Sequence, residues 1–307
     1  VIVDGVERDM SYLAPEEIET FTILKDASAT APYGVRGANG VIIVTTKRGK
    51  ASEKPSVNFK ASVGTNAPVK FPTYLGSADY ATLYNEAMIN SNPGTDPSKL
   101  ELFTQDAINN YRMAKGDNSD GLGYNWDYFD YAFKPGMQQD YSLSIRGGSE
   151  RARYYVMANY YSQSGNYEHT NLTEHDTQAR FKRYNFRANV DVDITKDFYV
   201  RVDLGARITD RHAPGTTASQ IVSLCNTLPP YLPITLPDND NPDNEDYVLN
   251  NPYGMLYGDY KHRKNILGEL SRTGYLVEKN TYLNGSFAIG HKLDFITKGL
   301  KVEGVFS

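Results

Sequence analysis

Cys225 is the only cysteine in 307 residues, which excludes an intrachain disulfide and any cysteine-rich zinc site; alone it reads as a small hydrophobe. Histidine is scarce as well: His169, His175, His212, His262 and His291 are scattered without a metal-ligand spacing. The chain carries no His-Glu-x-x-His, no Gly-x-Ser-x-Gly and no phosphate loop ending in Gly-Lys-Ser/Thr. Its carboxylates are too numerous for sequence alone to single out a general acid and base. The expectation is a protein that is not an enzyme and needs no cofactor. A basic surplus is also missing, with 32 Lys and Arg against 37 Asp and Glu and a net charge of -5, so nucleic acid is not an expected partner. Long apolar runs are absent too: mean hydropathy is -0.53, and nothing approaches the roughly 18 apolar residues of a membrane helix. That excludes spanning by helices. It does not exclude a β-barrel, whose strands show lipid only every second side chain.

What is present in quantity is tyrosine, 24 residues, with 12 Phe and 25 Gly; tyrosine suits places where one end of a side chain is apolar and the other wet. The first 50 residues read as a small α/β unit. Val1 to Val3 is a short strand, Asp4-Gly5 a turn, Pro15-Glu16-Glu17 a helix start, Glu19 to Leu24 a weak strand and Val41 to Thr46 a strong one. Between the last two, Tyr33-Gly34-Val35-Arg36-Gly37-Ala38-Asn39-Gly40 requires a tight bend with positive φ or close packing. Because the chain starts within a strand and ends on an alternating segment, it reads as a piece of a longer mature protein.

From residue 50 onward the period changes to two. Phe186, Ala188, Val190, Val192 and Ile194 alternate with Arg187, Asn189, Asp191 and Asp193, and Phe198 to Thr209 behaves in the same way. Weaker copies lie at Val57 to Val63, Tyr141 to Ile145, Arg153 to Tyr161, Thr281 to Phe295 and Leu300 to Phe306. Short connections (147–150, 195–197, 296–299) alternate with long ones near 64–140, 164–180 and 210–275. This short-long pattern is that of strands crossing a membrane, with small turns on one side and large loops on the other; structureless loops of that length count against a compact soluble domain. Within the first long loop, Ala78 to Ile89 and Leu100 to Met113 are expected as short helices.

Two loop segments stand out. Gly121 to Tyr131 is the most aromatic stretch and holds the only tryptophan; Tyr124, Trp126, Tyr128 and Tyr131 serve either loop packing or contact with a substrate or a lid. Asp238 to Asp246 is rich in oxygen ligands and invites calcium, but it lacks the glycine and glutamate spacing of an EF-hand loop and reads as an acidic exposed loop.

Asp4-Gly5-Val6, Ala14 to Glu19, Leu24-Lys25-Asp26-Ala27-Ser28-Ala29, Tyr33 to Ile42 and Thr45 to Lys50 resemble, in order and spacing, the second half of the plug domain of the SusC/RagA family of TonB-linked outer-membrane proteins from Bacteroidetes. Tyr141 to Gly148, Arg153-Tyr154-Tyr155, Tyr184 to Asn189 and Asp294 to Leu300 are similar to the first barrel strands of that family. Pro32 departs from the aliphatic or alanine residue common before its Tyr-Gly pair. The resemblance implies a membrane all-β fold, a 22-stranded antiparallel barrel with a small α/β plug inside, of which this chain covers residues 1–50 as the C-terminal half of the plug and 51–307 as about seven strands. It further implies nutrient uptake across the outer membrane of a Gram-negative bacterium. The implied partners are a SusD-type surface lipoprotein, TonB (through a segment outside this chain), membrane lipid, and an oligosaccharide or peptide substrate. On that picture Tyr33, Gly34, Arg36, Gly37, Asn39 and Gly40 shape the bend, and Arg36, Lys47, Arg48 and Lys50 are expected to meet lumenal Asp191, Asp193 and Asp203 in partly hydrated ion pairs. A different reading is a secreted β-rich carbohydrate-binding or adhesion module, suggested by the aromatic loops and acidic surface.

Overall fold

Residues 1–236 and 255–307 are described by the computed structural model of the chain; the acidic run Asp238 to Asp246 lies outside them. Two sheets divide the described residues. The first belongs to the N-terminal unit and has the order β2-β1-β4-β3, with β1 Ile2–Val3, β2 Val6–Glu7, β3 Ile18–Leu24 and β4 Val41–Thr46. Asp4 and Gly5, with φ of 51° and 87°, close the β1–β2 hairpin, since a two-residue turn that follows the strand twist needs positive φ at both central positions. β4 runs parallel to β1 and antiparallel to β3, which buries Val3 and Val44. The stretch between β3 and β4 is helical, not a loop: α1 Ala27–Thr30 continues as a 3₁₀ turn over Ala31–Gly37, broken at Gly34 by a φ of 60°.

The second sheet is a seven-stranded antiparallel meander in sequence order: β5 Ser56–Asn66, β6 Gly136–Gly148, β7 Ala152–Ser164, β8 Arg180–Asp193, β9 Phe198–Pro214, β10 Tyr275–Lys292 and β11 Lys301–Phe306. β10 differs from the segment expected at Thr281 to Phe295. It begins at Tyr275, because its ladder with β9 continues to Pro214, and it stops at Lys292, where Leu293 and Leu300 close a turn that takes Phe295 out of the sheet.

Burial on this sheet is inverted relative to a water-soluble fold. On β8 the polar residues Asn185, Arg187 and Asn189 are buried while Phe186 is 47% exposed. The same outward face carries Val57, Phe59 and Val63 of β5, Leu143 and Ile145 of β6, Val156 of β7, Leu204 of β9 and Leu283 of β10, all exposed. An apolar patch of this extent marks a surface that does not face water, and the strict alternation is that of a barrel wall between lipid and a polar interior. A row of neighbouring tyrosines, Tyr141, Tyr160 and Tyr184, the first two stacked and the last two tilted, crosses β6, β7 and β8 at one level. Two residues beyond it the outward face turns to Lys182, Asp210 and Lys279, which sit opposite one another on β8, β9 and β10. Aromatic rings followed by charge are the boundary of a hydrocarbon layer, and Tyr184 to Val192 matches the ~9–11 residues that a tilted strand needs to cross it.

The long connections leave the opposite end of the sheet from the tight turns, and they are folded. They contain α2 Ser77–Ser91, α3 Gln105–Met113, α4 Tyr128–Ala132, α5 Ala218–Thr227 and α6 Ile266–Ser271. Local capping starts several of them: Thr104, Asp127 and Asn265 accept from backbone N–H groups of the first turn, and Thr217 with Gln220 forms a capping box. α4, α5 and α6 share one core with the 165–179 loop, built on Phe129, Tyr167, Ile221, Leu267 and Leu270. Three loops thereby become one shell.

Candidate functional site

The polar face of the wall is buried because the N-terminal unit sits on it. At the centre is Arg187, whose side chain is 1% exposed. Its guanidinium donates to Asp4 Oδ2 at 2.6 Å and to Thr46 Oγ1 at 2.9 Å, and its Nε donates to Asn189 Oδ1 at 3.0 Å. Glu17 Oε2 lies 3.9 Å away; burial pushes this carboxyl above its ordinary range, against the pull of Arg187 and of the Ala14 N–H. Thr46 uses its whole hydroxyl, donating to Asp4 Oδ2 at 2.7 Å and accepting from Arg187 and from Asn189 Nδ2 at 2.8 Å. A second arginine points the other way across the seam: Arg48, from the N-terminal unit, binds Asp191 at 2.9 Å and Asp203 at 2.6 Å.

Apolar contact is small beside this. Ala14 packs on Tyr155 and Met157, Tyr155 donates its hydroxyl to the Glu16 carbonyl at 3.2 Å, and Tyr12 stacks on Tyr282 with ring centres 4.1 Å apart. The chain leaves the seam through Gly49, where a Cβ would lie 2.2 Å from the Gly147 carbonyl oxygen and 2.6 Å from Tyr154 N. Both neighbours are backbone in the β6–β7 hairpin and cannot turn aside. Gly49→Ala is therefore expected to weaken docking of the N-terminal unit by roughly 1–3 kcal/mol, read as faster limited proteolysis near residue 50 in the folded protein; protection equal to wild type would contradict the close approach.

The structure sorts the expected site residues. Arg48 meets Asp191 and Asp203. Asp193 does not join them: it sits at the end of β8 and pairs with Arg153 of β7 at 2.6 Å. Arg36 pairs with Glu7 inside its own unit, both side chains exposed, because the bend that carries it projects away from the wall. Lys47 contributes its backbone carbonyl, which accepts from Asn189 Nδ2 at 2.8 Å, and Lys50 N bonds Glu53. Gly34 and Gly40 adopt positive φ, Gly37 is buried against Thr30, Tyr33 is half-buried and Asn39 exposed.

Among the aromatic candidates, Tyr124 stacks on Trp126, Trp126 meets Tyr131 edge-on, and Tyr131 stacks on His169. Tyr128 is chiefly a core side chain of the loop shell: it is 5% exposed, packs among α4, α5 and α6 and donates to the Pro229 carbonyl at 3.0 Å, leaving only an edge toward the cleft beside Trp126. Beside Trp126 a cleft of about 300 Å³ opens between α2 and α5, with Tyr74, Tyr80, Asn125 and Asn226 on its walls. The residues that sequence reasoning did not select are Arg187, Asp4, Thr46 and Asn189. The only available signal was the position of Arg187 and Asn189 on the charged side of the β8 alternation.

No family model matches the chain. TonB-dependent receptor P3 of Formosa agariphila is 31% identical over 274 residues, which is 86% of this chain and 23% of that protein. TonB-dependent receptor SusC of Bacteroides thetaiotaomicron is 26% identical over 299 residues, 94% of this chain and 26% of that protein. The chain thus spans about a quarter of the length of these relatives. In fold it is similar to the RagAB peptide importer in its closed-closed state, with a TM-score of 0.63 at 22% identity over 95% of this chain and 32% of that one. The open-open state gives the same score at 23% identity. With a plug-like α/β unit seated on the polar face of an antiparallel wall, and relatives of this kind along most of its length, the chain resembles a fragment of a SusC/RagA-like TonB-dependent receptor.

Proposed function

We propose that the whole protein imports a complex nutrient across the outer membrane of a Gram-negative bacterium, driven through TonB, and that this chain supplies part of its gate and wall. Residues 1–50 form the C-terminal half of the plug and 51–307 the first part of the barrel, with the loop shell outside the cell and the tight turns in the periplasm. The observation that carries this reading is the seam: a small domain held on a wall by a few ion pairs and hydrogen bonds, with little apolar contact. Though buried, these polar contacts regain water as the seam opens, and that hydration offsets much of the lost pairing, whereas a hydrophobic interface of the same area could not be opened and reclosed readily. The partner is a SusD-type lipoprotein that lids the shell, and the substrate is an oligosaccharide or a peptide; among the similar structures, RagAB is named a peptide importer.

The exposed apolar wall disfavours a secreted binding module, which would have to keep that face in water. Two measurements test the proposal. The protein should fractionate with the outer membrane and show heat-modifiable migration, and a deletion strain should lose growth on one class within a panel of glycans and peptides. Recovery in the soluble fraction without detergent, or unchanged growth on every member of a panel that includes the native nutrient of the strain, would count against it.

A further inference from the structure

On the loop side of the seam, the inward face of β8 continues from Arg187 through Asn185 to Arg183, since alternate residues share a face. Asn185 stands directly opposite Arg207 of β9 and Asn159 of β7. Asn185 is 0% exposed, yet neither its Oδ1 nor its Nδ2 has a hydrogen-bond partner; Arg183 Nε and Asn159 Oδ1 are likewise buried and unpartnered. Native proteins leave very few such groups, and each calls for an explanation, a bound water, ion or ligand among them. Among the described residues, neither Arg183 nor Arg207 forms a salt bridge, unlike Arg48, Arg153, Arg187 and Arg201 on the same lumenal side. Arg183 lies over the Tyr161 ring at 5.0 Å, and Arg207 donates to the Ser11 carbonyl of the plug. The carboxylates nearby are engaged: Asp140 with Asn159 Nδ2 at 2.6 Å, and Glu17 with Ala14 N and Arg187.

We propose that Arg183, Asn185 and Arg207 form a binding site for a carboxylate flanked by a hydroxyl or N–H donor, carried by the imported substrate as it reaches the plug. The two guanidiniums supply charge-assisted donors for the carboxylate. Asn185 adds a donor through Nδ2, while its Oδ1 and that of Asn159 accept from the neighbouring hydroxyl or amide. A sugar acid and a peptide C-terminus share this chemistry. Because Arg207 also donates to Ser11 of the plug, the occupant on the wall is linked to the gate through that arginine.

The site rests on the import reading, but its test needs no transport. The full-length receptor in detergent is titrated with glucuronate against glucose, and with N-acetylglycine against N-acetylglycinamide, at constant ionic strength, by calorimetry and thermal shift. At least one carboxylate should bind saturably and raise Tm, with its neutral counterpart at least tenfold weaker, and Arg183→Gln and Arg207→Gln should each weaken binding by tenfold or more. Heat-modifiable migration reports whether those variants fold; if one does not, Arg183→Lys, which keeps the charge and loses the fork, takes its place and should bind more weakly than wild type. Binding by the sugar acid alone or by the N-acetyl amino acid alone identifies the source. Absence of carboxylate binding to folded wild type, binding that survives loss of both arginines, or an acidic side chain from the rest of the receptor filling the site would each overturn the proposal, and none would bear on whether the receptor transports.

Discussion

Arg187→Ala in the full-length receptor is expected to weaken plug docking by about 3–5 kcal/mol, the usual consequence of removing one partner from a buried ion pair. Two acids, Asp4 and Glu17, face this single guanidinium, and Thr46 and Asn189 lose their shared donor with it. Most of the loss comes from the groups left behind: Asp4 keeps its bonds to Thr46 N and Oγ1 but remains a buried charge without a counterion. Replacing Arg187 by Met, Asp4 by Asn and Glu17 by Gln together should therefore recover much of the stability lost in Arg187→Ala, since no charge is then stranded and Asn tolerates the positive φ at position 4. Arg36→Ala gives the contrast. Its pair with Glu7 is exposed on both sides, so the expected change is at most about 1 kcal/mol. Limited proteolysis of the plug, together with entry of a bulky antibiotic through the barrel, reads all three variants. A plug in Arg187→Ala as protected and as tight as wild type would remove the seam as its anchor.

The face on which that anchor lies was legible in the sequence, and its chemistry was not. Period two along Phe186 to Ile194 fixes which residues share a side, so Arg187 was assigned to the same face as Asp191. Nothing local says whether that face meets water or another domain. The pairing of Arg187 with Asp4 joins residues 183 positions apart, and such a contact has no periodic trace. Arg36 and Asp193 failed as candidates for the same reason: both are charged and near the expected contact in sequence, but the 3₁₀ bend turns Arg36 outward, and Arg153 on the neighbouring strand satisfies Asp193 first. Glycines were read better than charges. Gly34 and Gly40 lie in a bend whose need for positive φ is local, whereas the role of Gly49 depends on the hairpin at Gly147 and could not be seen. Helices α4 and α6 escaped notice because a five- or six-residue helix is too short to show a period; its stability comes from the shared loop core.

The outward face makes a second large prediction, one that separates lipid from water as the solvent of the wall. Phe186 is 47% exposed in the middle of β8, flanked by Ala158 and Ala206 across the ladder, with the tyrosine row two residues away. Were that face in water, Phe186→Arg would be an ordinary surface change, within about 0.5 kcal/mol. In a hydrocarbon layer an arginine on a barrel strand costs about 2–4 kcal/mol at the midplane and less toward the interface, so Phe186→Arg, one outward position inside the tyrosine row, is expected to cost about 1–3 kcal/mol, because its small neighbours offer no partner and the nearest charged belt begins at Lys182, farther along the strand. Val35→Arg is the matched control. Val35 is apolar and 93% exposed, but it belongs to the plug bend, where a new arginine meets the aqueous interior, and it should leave assembly unchanged. The fraction of full-length receptor that is heat-modifiable in the outer membrane should therefore fall sharply for Phe186→Arg and stay at the wild-type level for Val35→Arg. Equal behaviour of the two would mean that the apolar side of the sheet does not face lipid; a selective loss at Phe186 places the hydrocarbon on that side and leaves Arg187 and the N-terminal unit on the polar side.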